Sequence, residues 1–247
     1  MTPTTILNTR PEFSSQSTTQ VFEDNGFAVI NLPCIEITVT KNRAETISKL
    51  KQISDKNAVI FTSQHAVTFA YQLQPALRLT KQNTVITVGT KTAELLEQYC
   101  HADIWVPEKQ NSQGVIELLQ NLKDIKSIKL ITAANGREEI QLFAQKQGIK
   151  LEQINVYQRQ LPQANPEISQ QIKQNNKLIT LATSVTTIKN LKQLVTEATW
   201  QHLLNQRIAC ASLRIAQEAK KQGFKKLINT QSADPLIISQ LLAMGNK

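Results

Sequence analysis

Short runs rich in valine and isoleucine alternate along this chain with longer stretches of helical periodicity, and that alternation restricts the fold more than any other feature. The runs fall at residues 6–8, 28–32, 59–61, 84–88, 103–106, 128–132, 150–156, 178–182, 207–211 and 226–228. Amphipathic stretches lie between them, among them 90–99, 114–122, 137–147, 186–195 and 213–222. Apolar runs too short for helices, separated by helical crossovers, predict an α/β fold of parallel strands with helices on both faces. Gly26, Gly148 and Gly223 each follow a polar helix end and read as helix stops.

Ten runs are many for one small open sheet, so two sheets of five parallel strands are expected. The sequence also repeats. Ile60-Phe61-Thr62-Ser63-Gln64-His65-Ala66-Val67 parallels Leu181-Ala182-Thr183-Ser184-Val185-Thr186-Thr187-Ile188. Val88-Gly89-Thr90-Lys91-Thr92-Ala93 parallels Ala211-Ser212-Leu213-Arg214-Ile215-Ala216, and each pair is roughly 120 residues apart. Residues 34–39 and 157–164 read as two linkers. Two crossings predict an interrupted lobe of residues 1–33 and 165–247 around a second lobe of 40–156; a tandem split near residue 125 is the alternative.

Charge narrows the partners. The 247 residues carry 28 Lys and Arg against 19 Asp and Glu, a net charge of +9. The interrupted lobe holds 12 basic and 7 acidic residues and the middle one 15 and 11, so the lobes stand at +5 and +4. A cleft between two basic lobes would focus the field on a polyanion. The basic residues are dispersed, aromatics make up only 5%, and no zinc-finger, basic-zipper or RNP-type motif occurs, so nucleic acid is not the expected partner. No apolar run approaches the ~18 residues of a membrane span, and the N-terminus lacks the pattern of a signal peptide. Cys34, Cys100 and Cys210 have no metal-ligand spacing and suggest no disulfide framework, and Cys34 and Cys210 read as buried filler in apolar strands. A reducing cytoplasm is the expected location.

In open α/β sheets ligands bind beyond the carboxyl ends of the strands. The residues there are Thr9-Arg10, Thr62-Ser63, Gly89-Thr90, Ser112-Gln113-Gly114, Ala133-Ala134-Asn135-Gly136-Arg137, Thr183-Ser184, Ser212 and Gln231-Ser232. A small hydroxyl at a helix start is first of all an N-cap. Many such starts converging would also present backbone N–H groups to carboxylates or phosphates. No GxGxxG, GxxxxGK[ST] or GxSxG motif occurs, and His65, His101 and His202 are scattered and read as structural or exposed. The residues alone therefore leave a two-lobed, basic, cofactor-poor cleft whose substrate composition does not name.

The strand-end segments, taken in order, resemble the uroporphyrinogen-III synthase family. Asn8-Thr9-Arg10-Pro11 is similar to its opening T-R-P, with Gly26 and Pro33 downstream. Phe61-Thr62-Ser63-Gln64-His65-Ala66-Val67 resembles F-T-S-x-x-A-V, and Val88-Gly89-Thr90-Lys91-Thr92-Ala93 resembles V-G-x-x-T-A. Ser112-Gln113-Gly114 resembles S-x-G, Gly136-Arg137-Glu138-Glu139-Ile140 resembles G-R-x-x-L, and Val156-Tyr157-Gln158-Arg159 resembles V-Y-x-R. The chain departs from the pattern at Ser212-Leu213-Arg214-Ile215-Ala216, where a second G-x-x-T-A is usual, and at Ala182, where an aromatic usually precedes T-S.

The resemblance implies two flavodoxin-like lobes joined by a two-stranded linker. It implies closure of linear hydroxymethylbilane to uroporphyrinogen III, with loss of water, inversion of the last pyrrole ring and no cofactor. The substrate is a small polycarboxylate, which suits two basic lobes. Pyrrole lone pairs expel the hydroxyl readily once it is protonated, so the protein's task is orientation with general-acid help. Tyr157 is the implied proton donor, because a phenol keeps its proton at neutral pH. Arg10 and Arg137 are implied carboxylate partners. Thr62, Ser63, Gly89, Thr90, Thr92 and Ser112 are implied binding residues in the middle lobe, together with Asn135 and Gly136. Thr183, Ser184 and Ser212 are implied in the interrupted one. No nucleic acid or membrane is expected as a partner. A monomer is expected, and a transient contact with the preceding pathway enzyme stays open. Two other readings also stay open: a two-lobed protein that binds a small anion without catalysis, and a nucleic-acid-binding regulator, against which the dispersed charge speaks.

Overall fold

The structure, a computed structural model, describes residues 3–122, 125–134, 136 and 138–244. The chain forms two compact units. The first begins with β1 (Thr5–Asn8), α1 (Glu12–Asp24) and β2 (Ala28–Asn31), pauses at Glu36 and resumes at Gln160. The second, Ile37–Arg159, takes in β3 (Glu36–Val39), α2 (Arg43–Lys51), β4 (Ala58–Phe61), α3 (Gln64–Leu73), β5 (Thr84–Thr87) and α4 (Thr90–Leu96). It continues through β6 (Ile104–Trp105), α5 (Ser112–Asn121), β7 (Ser127–Ala133), α6 (Glu139–Lys146) and β8 (Lys150–Gln160). The first unit then resumes with α7 (Pro166–Gln174), β9 (Leu178–Ala182), α8 (Val185–Leu194), α9 (Glu197–Leu204), β10 (Arg207–Cys210), α10 (Leu213–Lys221), β11 (Lys226–Asn229) and α11 (Pro235–Met244).

Among the described residues the first sheet has five strands in the order β11-β10-β9-β1-β2, all parallel. The second has six, β3-β8-β7-β4-β5-β6, where five were expected. The sixth is β3, from a stretch that the sequence suggested was linker. Its alternating Glu36-Ile37-Thr38-Val39 pairs with β8, which itself runs through 157–160, the start of the other expected linker. Thr40 N–H reaches the Val156 carbonyl, Gln158 the Thr38 hydroxyl and Gln160 the Glu36 carboxylate. Partners that descend along one strand as they ascend along the other make this pair antiparallel. The other pairings of the second sheet are parallel.

The two layouts match. In the first sheet β1 has β2 on one side and β9, β10 and β11 in sequence on the other. In the second β7 has β8 on one side and β4, β5 and β6 in sequence on the other. The chain simply enters the second layout in its middle, which is why the repeated segments pair β4–α3 with β9–α8 and β5–α4 with β10–α10.

Each sheet is covered on both faces. Leu7, Ile208 and Cys210 pack with Ile188 and Leu191 of α8 and Ile215 of α10, while Ile6, Leu181 and Ala209 pack with Phe22 of α1 and Ile238 of α11. In the second sheet Val59, Phe61 and Val85 meet Ala66, Val67 and Ala70 of α3, and Ala58, Ile60 and Ile86 meet Val115 of α5 and Ile140 of α6. Burying a side chain of this size stabilises the fold by about 1.5–3 kcal/mol. Cys34 and Cys210 are buried, Cys210 in β10 but Cys34 in the connection between β2 and β3 rather than in a strand, and burial pushes both thiols up, Cys210 to about 11. Lys129 is only 8% exposed and pairs with Glu152 at 2.5 Å.

The three helix stops take one form. Gly26, Gly148 and Gly223 adopt φ of 81°, 66° and 103°, a region open to glycine at little cost. The next N–H then closes the same backward turn onto the helix: Phe27 to Phe22, Ile149 to Ala144 and Phe224 to Ala219. Among the described residues no helix is long and apolar enough to cross a membrane.

Candidate functional site

All the parallel strands of a unit point one way, so their following helices start along one edge. In the second unit that edge gathers a polar cluster around Tyr157. The register of β7 against β8 places Thr132 opposite Asn155 but Ala133 opposite Tyr157, so Val156 is an extra residue. Strict alternation would send Tyr157 to the face opposite Ile154 and Val156. The bulge instead turns all three into one core cluster, beside α3. Tyr157 is only 1% exposed. Its ring lies 5.6 Å from that of His65 and 5.8 Å from that of Phe69, centroid to centroid. Its hydroxyl stands 3.0 Å from Ser63 Oγ and accepts from Arg159 Nη2 at 3.4 Å, with the guanidinium carbon 5.7 Å from the ring centroid.

Ser63 also caps α3, accepting the Ala66 N–H at 3.2 Å. Thr62 turns toward β7, donating to Thr132 Oγ1 at 2.9 Å. Gly136 lies over the same threonine, because a Cβ there would meet Thr132 Oγ1 at 3.2 Å. Burial, and after it the charge of Arg159, holds the His65 imidazole below its ordinary value, which favours the neutral ring beside the phenol.

Farther along the edge, Gly89 and Thr90 begin α4. Gln110 replaces a side-chain cap here: its Oε1 accepts from both Thr90 N–H and Thr90 Oγ1 at 3.2 Å. A Cβ at Gly89 would meet that oxygen at 2.7 Å. Thr92 is 7% exposed and belongs to the helix's buried side. Ser112 is the first residue of α5, and the cap before it is Asn111, which accepts the Gly114 N–H at 3.0 Å. Gly114 has to be glycine, since a Cβ would lie 1.9 Å from the Lys109 carbonyl oxygen.

In the first unit Ser184 caps α8 through Thr187 N–H at 3.0 Å and meets Thr187 Oγ1 at 2.8 Å. Thr183, just before it, is partly exposed. Ser212 caps α10 through Ile215 N–H at 3.4 Å. Ile215, where the family pattern has threonine, is 4% exposed in the core, so this position is as closed as that of Thr92. Arg10 donates through Nη2 to the Ala233 carbonyl, in the loop before α11. Burial lowers its pKa and the nearby Asp234 opposes that shift.

Tyr157, Ser63, Thr62 and Gly136 thus stand together, while Gly89, Thr90, Thr92 and Ser112 form a separate group on the same edge. Arg10, Thr183, Ser184 and Ser212 belong to the other unit. Asn135 and Arg137 lie outside the described residues. Sequence reasoning missed Arg159, Thr132, Gln110 and Asn111, and it set His65 apart as structural or exposed. His65 and Arg159 were visible only as members of the F-T-S and V-Y-x-R segments. His101 is exposed and His202 bonds the Asn175 carbonyl at 2.8 Å. Among the described residues no three His, Cys, Asp or Glu side chains stand together as a metal site requires.

Units of parallel strands covered by helices on both faces place this protein in the α/β class, in which ligands bind beyond the carboxyl ends of the strands. The family described as Uroporphyrinogen-III synthase HemD matches residues 16–236. The chain belongs to the uroporphyrinogen-III synthase family. It is 27% identical over 158 residues to the uroporphyrinogen-III synthase of Proteus mirabilis, covering 62% of this chain and 79% of that one. Its fold is similar to that of a mutant uroporphyrinogen III synthase from the extremely thermophilic bacterium Thermus thermophilus, with a TM-score of 0.60 at 14% identity over 99% of this chain and 100% of that one. The uroporphyrinogen-III synthetase of Helicobacter pylori gives a TM-score of 0.58 at 15% identity, covering 100% of both chains.

Proposed function

We propose that this chain is a hydro-lyase that closes hydroxymethylbilane to uroporphyrinogen III, losing water and inverting the last pyrrole ring. The observation that carries the reading is the family match across residues 16–236. In this reading the units are flavodoxin-like lobes joined through β3 and β8, and the protein works in the cytoplasm as a monomer without a cofactor. The helix starts at Ser63, Thr90, Ser112, Ser184 and Ser212 supply N–H groups to the substrate's carboxylates, with Arg10 and Arg137 as further partners.

Tyr157 is the proton donor. As a pyrrole nitrogen lone pair moves in, the C–O bond breaks and the leaving hydroxyl takes the phenol proton and departs as water. The azafulvene left behind is reactive, and the protein holds it so that the spiro route outruns direct closure. Closure releases a proton from the ring carbon, and that proton restores the phenol. Ser63 Oγ and Tyr157 Oη are within hydrogen-bond distance. When Ser63 donates, the phenol oxygen accepts from Ser63 and Arg159, and its own proton is committed to neither.

The test mixes fresh hydroxymethylbilane with the purified protein, oxidises the product and separates the type I and type III isomers. Type III without added cofactor is the expected result. Type I alone, at the rate seen without protein, would overturn the reading in favour of a non-catalytic anion-binding protein.

A further inference from the structure

The strand carrying Tyr157 also carries Arg159, an exposed residue. Two residues apart on one strand, the side chains share a face. The guanidinium bends over the ring, 5.7 Å from its centroid, and donates to the hydroxyl at 3.4 Å. A guanidinium has several N–H donors and no acceptor. Toward Tyr157 it therefore acts in one direction: it loads the phenol oxygen and leaves the phenol proton to another acceptor. That contact is weak to a neutral phenol and strengthens once the proton has gone, because charge-assisted bonds are shorter and roughly twice as strong. An interaction that grows as charge develops lowers a barrier, whereas one made equally throughout does not.

We infer that Arg159 positions the Tyr157 hydroxyl for proton donation and takes a carboxylate of the substrate on its remaining N–H groups. The inference rests on the reading given under Proposed function and names two tasks for one side chain. Burial and the charge of Arg159 both disfavour a proton on the neighbouring His65. Ser63 and Arg159 both make hydrogen bonds to Oη, and Ser63 is held in place by its cap, so among the described residues Arg159 is the partner with N–H groups left for a ligand.

The experiment compares the wild type with Arg159→Gln and Arg159→Lys. Turnover is followed with hydroxymethylbilane, and equilibrium binding with uroporphyrin III as a fluorescent octacarboxylate. Arg159→Gln is expected to lower kcat roughly tenfold and to raise KM and the uroporphyrin III Kd roughly tenfold. Arg159→Lys keeps the charge without the fork, so KM and Kd recover to within about threefold while kcat stays low. Rescue of kcat by lysine would overturn the positioning role. An unchanged Kd in Arg159→Gln would overturn the carboxylate role. Wild-type protein that makes only type I isomer would sink the synthase reading instead, and the uroporphyrin III arm would still decide the carboxylate role. A shared loss of thermal midpoint in both variants would mark Arg159 as structural and overturn both.

Discussion

The starts of α3 and α8 carry the same Thr-Ser pair, yet their serines answer to different neighbours. Ser184 closes on its own helix, with Thr187 supplying both the capped N–H and a hydroxyl. Ser63 caps in the same way but turns its hydroxyl to Tyr157, a residue of another strand. The starts of α4 and α10 differ in the opposite sense. Gly89 leaves room for Gln110, which reaches in from the next loop, while Ser212 caps its helix itself. Capping is thus generic to both units, and what singles out the second is the neighbour that one bulge brings to the cap.

The comparison breaks most sharply at Tyr157. Tyr157→Phe should slow turnover about a hundredfold, the lower range for a lost general acid, while uroporphyrin III affinity stays within about twofold. Stopped-flow turnover beside equilibrium binding checks this, and an unchanged rate would remove Tyr157 from the chemistry. Next come the two serines. Ser63→Ala and Ser184→Ala should each lose about 1 kcal/mol of stability in urea titrations, as caps do. Ser63→Ala should lose more turnover than Ser184→Ala, though far less than a hundredfold; equal losses would erase the distinction between the two caps.

A smaller effect sits at His65. Its native pKa is held below the ordinary 6.5 by burial and then by Arg159, so the unfolded chain takes up the proton first. Its contribution to stability is complete above about pH 6.5 and is lost as pH falls from there through the native value. His65→Gln should flatten that part of the stability profile, and an identical acid slope in the variant would contradict the assignment. The smallest change is expected for Gly89→Ser, which copies the first unit into the second. Gly89 has an extended φ of −157°, close to the −160° of Ser212, and the nearest obstacle is the movable end of Gln110. Stability within about 0.5 kcal/mol is expected from thermal melts, as the serine cap takes over from Gln110.

The alternation of apolar runs and helical stretches carries most of the layout, because inner strands such as β1, β4 and β9 bury both faces and the helices bury only one. The repeated Thr-Ser pair, and the Gly-x-x-Thr-Ala segment with its counterpart Ser212–Ala216, fall where the two sheets correspond. The sixth strand was hidden by its place after Pro33, where an extended run reads as linker until its partner is known. The bulge was hidden as well, since a period of two assigns Tyr157 to the wrong face. Asn111 was passed over because the hydroxyl of Ser112 stands one residue later, and only the N–H it accepts separates the two. At Ile215 the departure from the family pattern replaces a threonine hydroxyl with an apolar side chain. In the fold it is a packed core position, which an isoleucine fills.

The insertion of one unit within the other also sets an order of assembly. Each strand of the second unit lies between Ile37 and Arg159, apart from the ends of β3 and β8 that pass the boundary, so its sheet can close from one continuous length of chain. In the first, β1 is made before that stretch but finds its neighbour β9, the middle strand, only after all of that chain has been made. The unit that begins later can therefore finish first, and its folding draws the two halves of the other toward each other, shortening the loop that β1 must close.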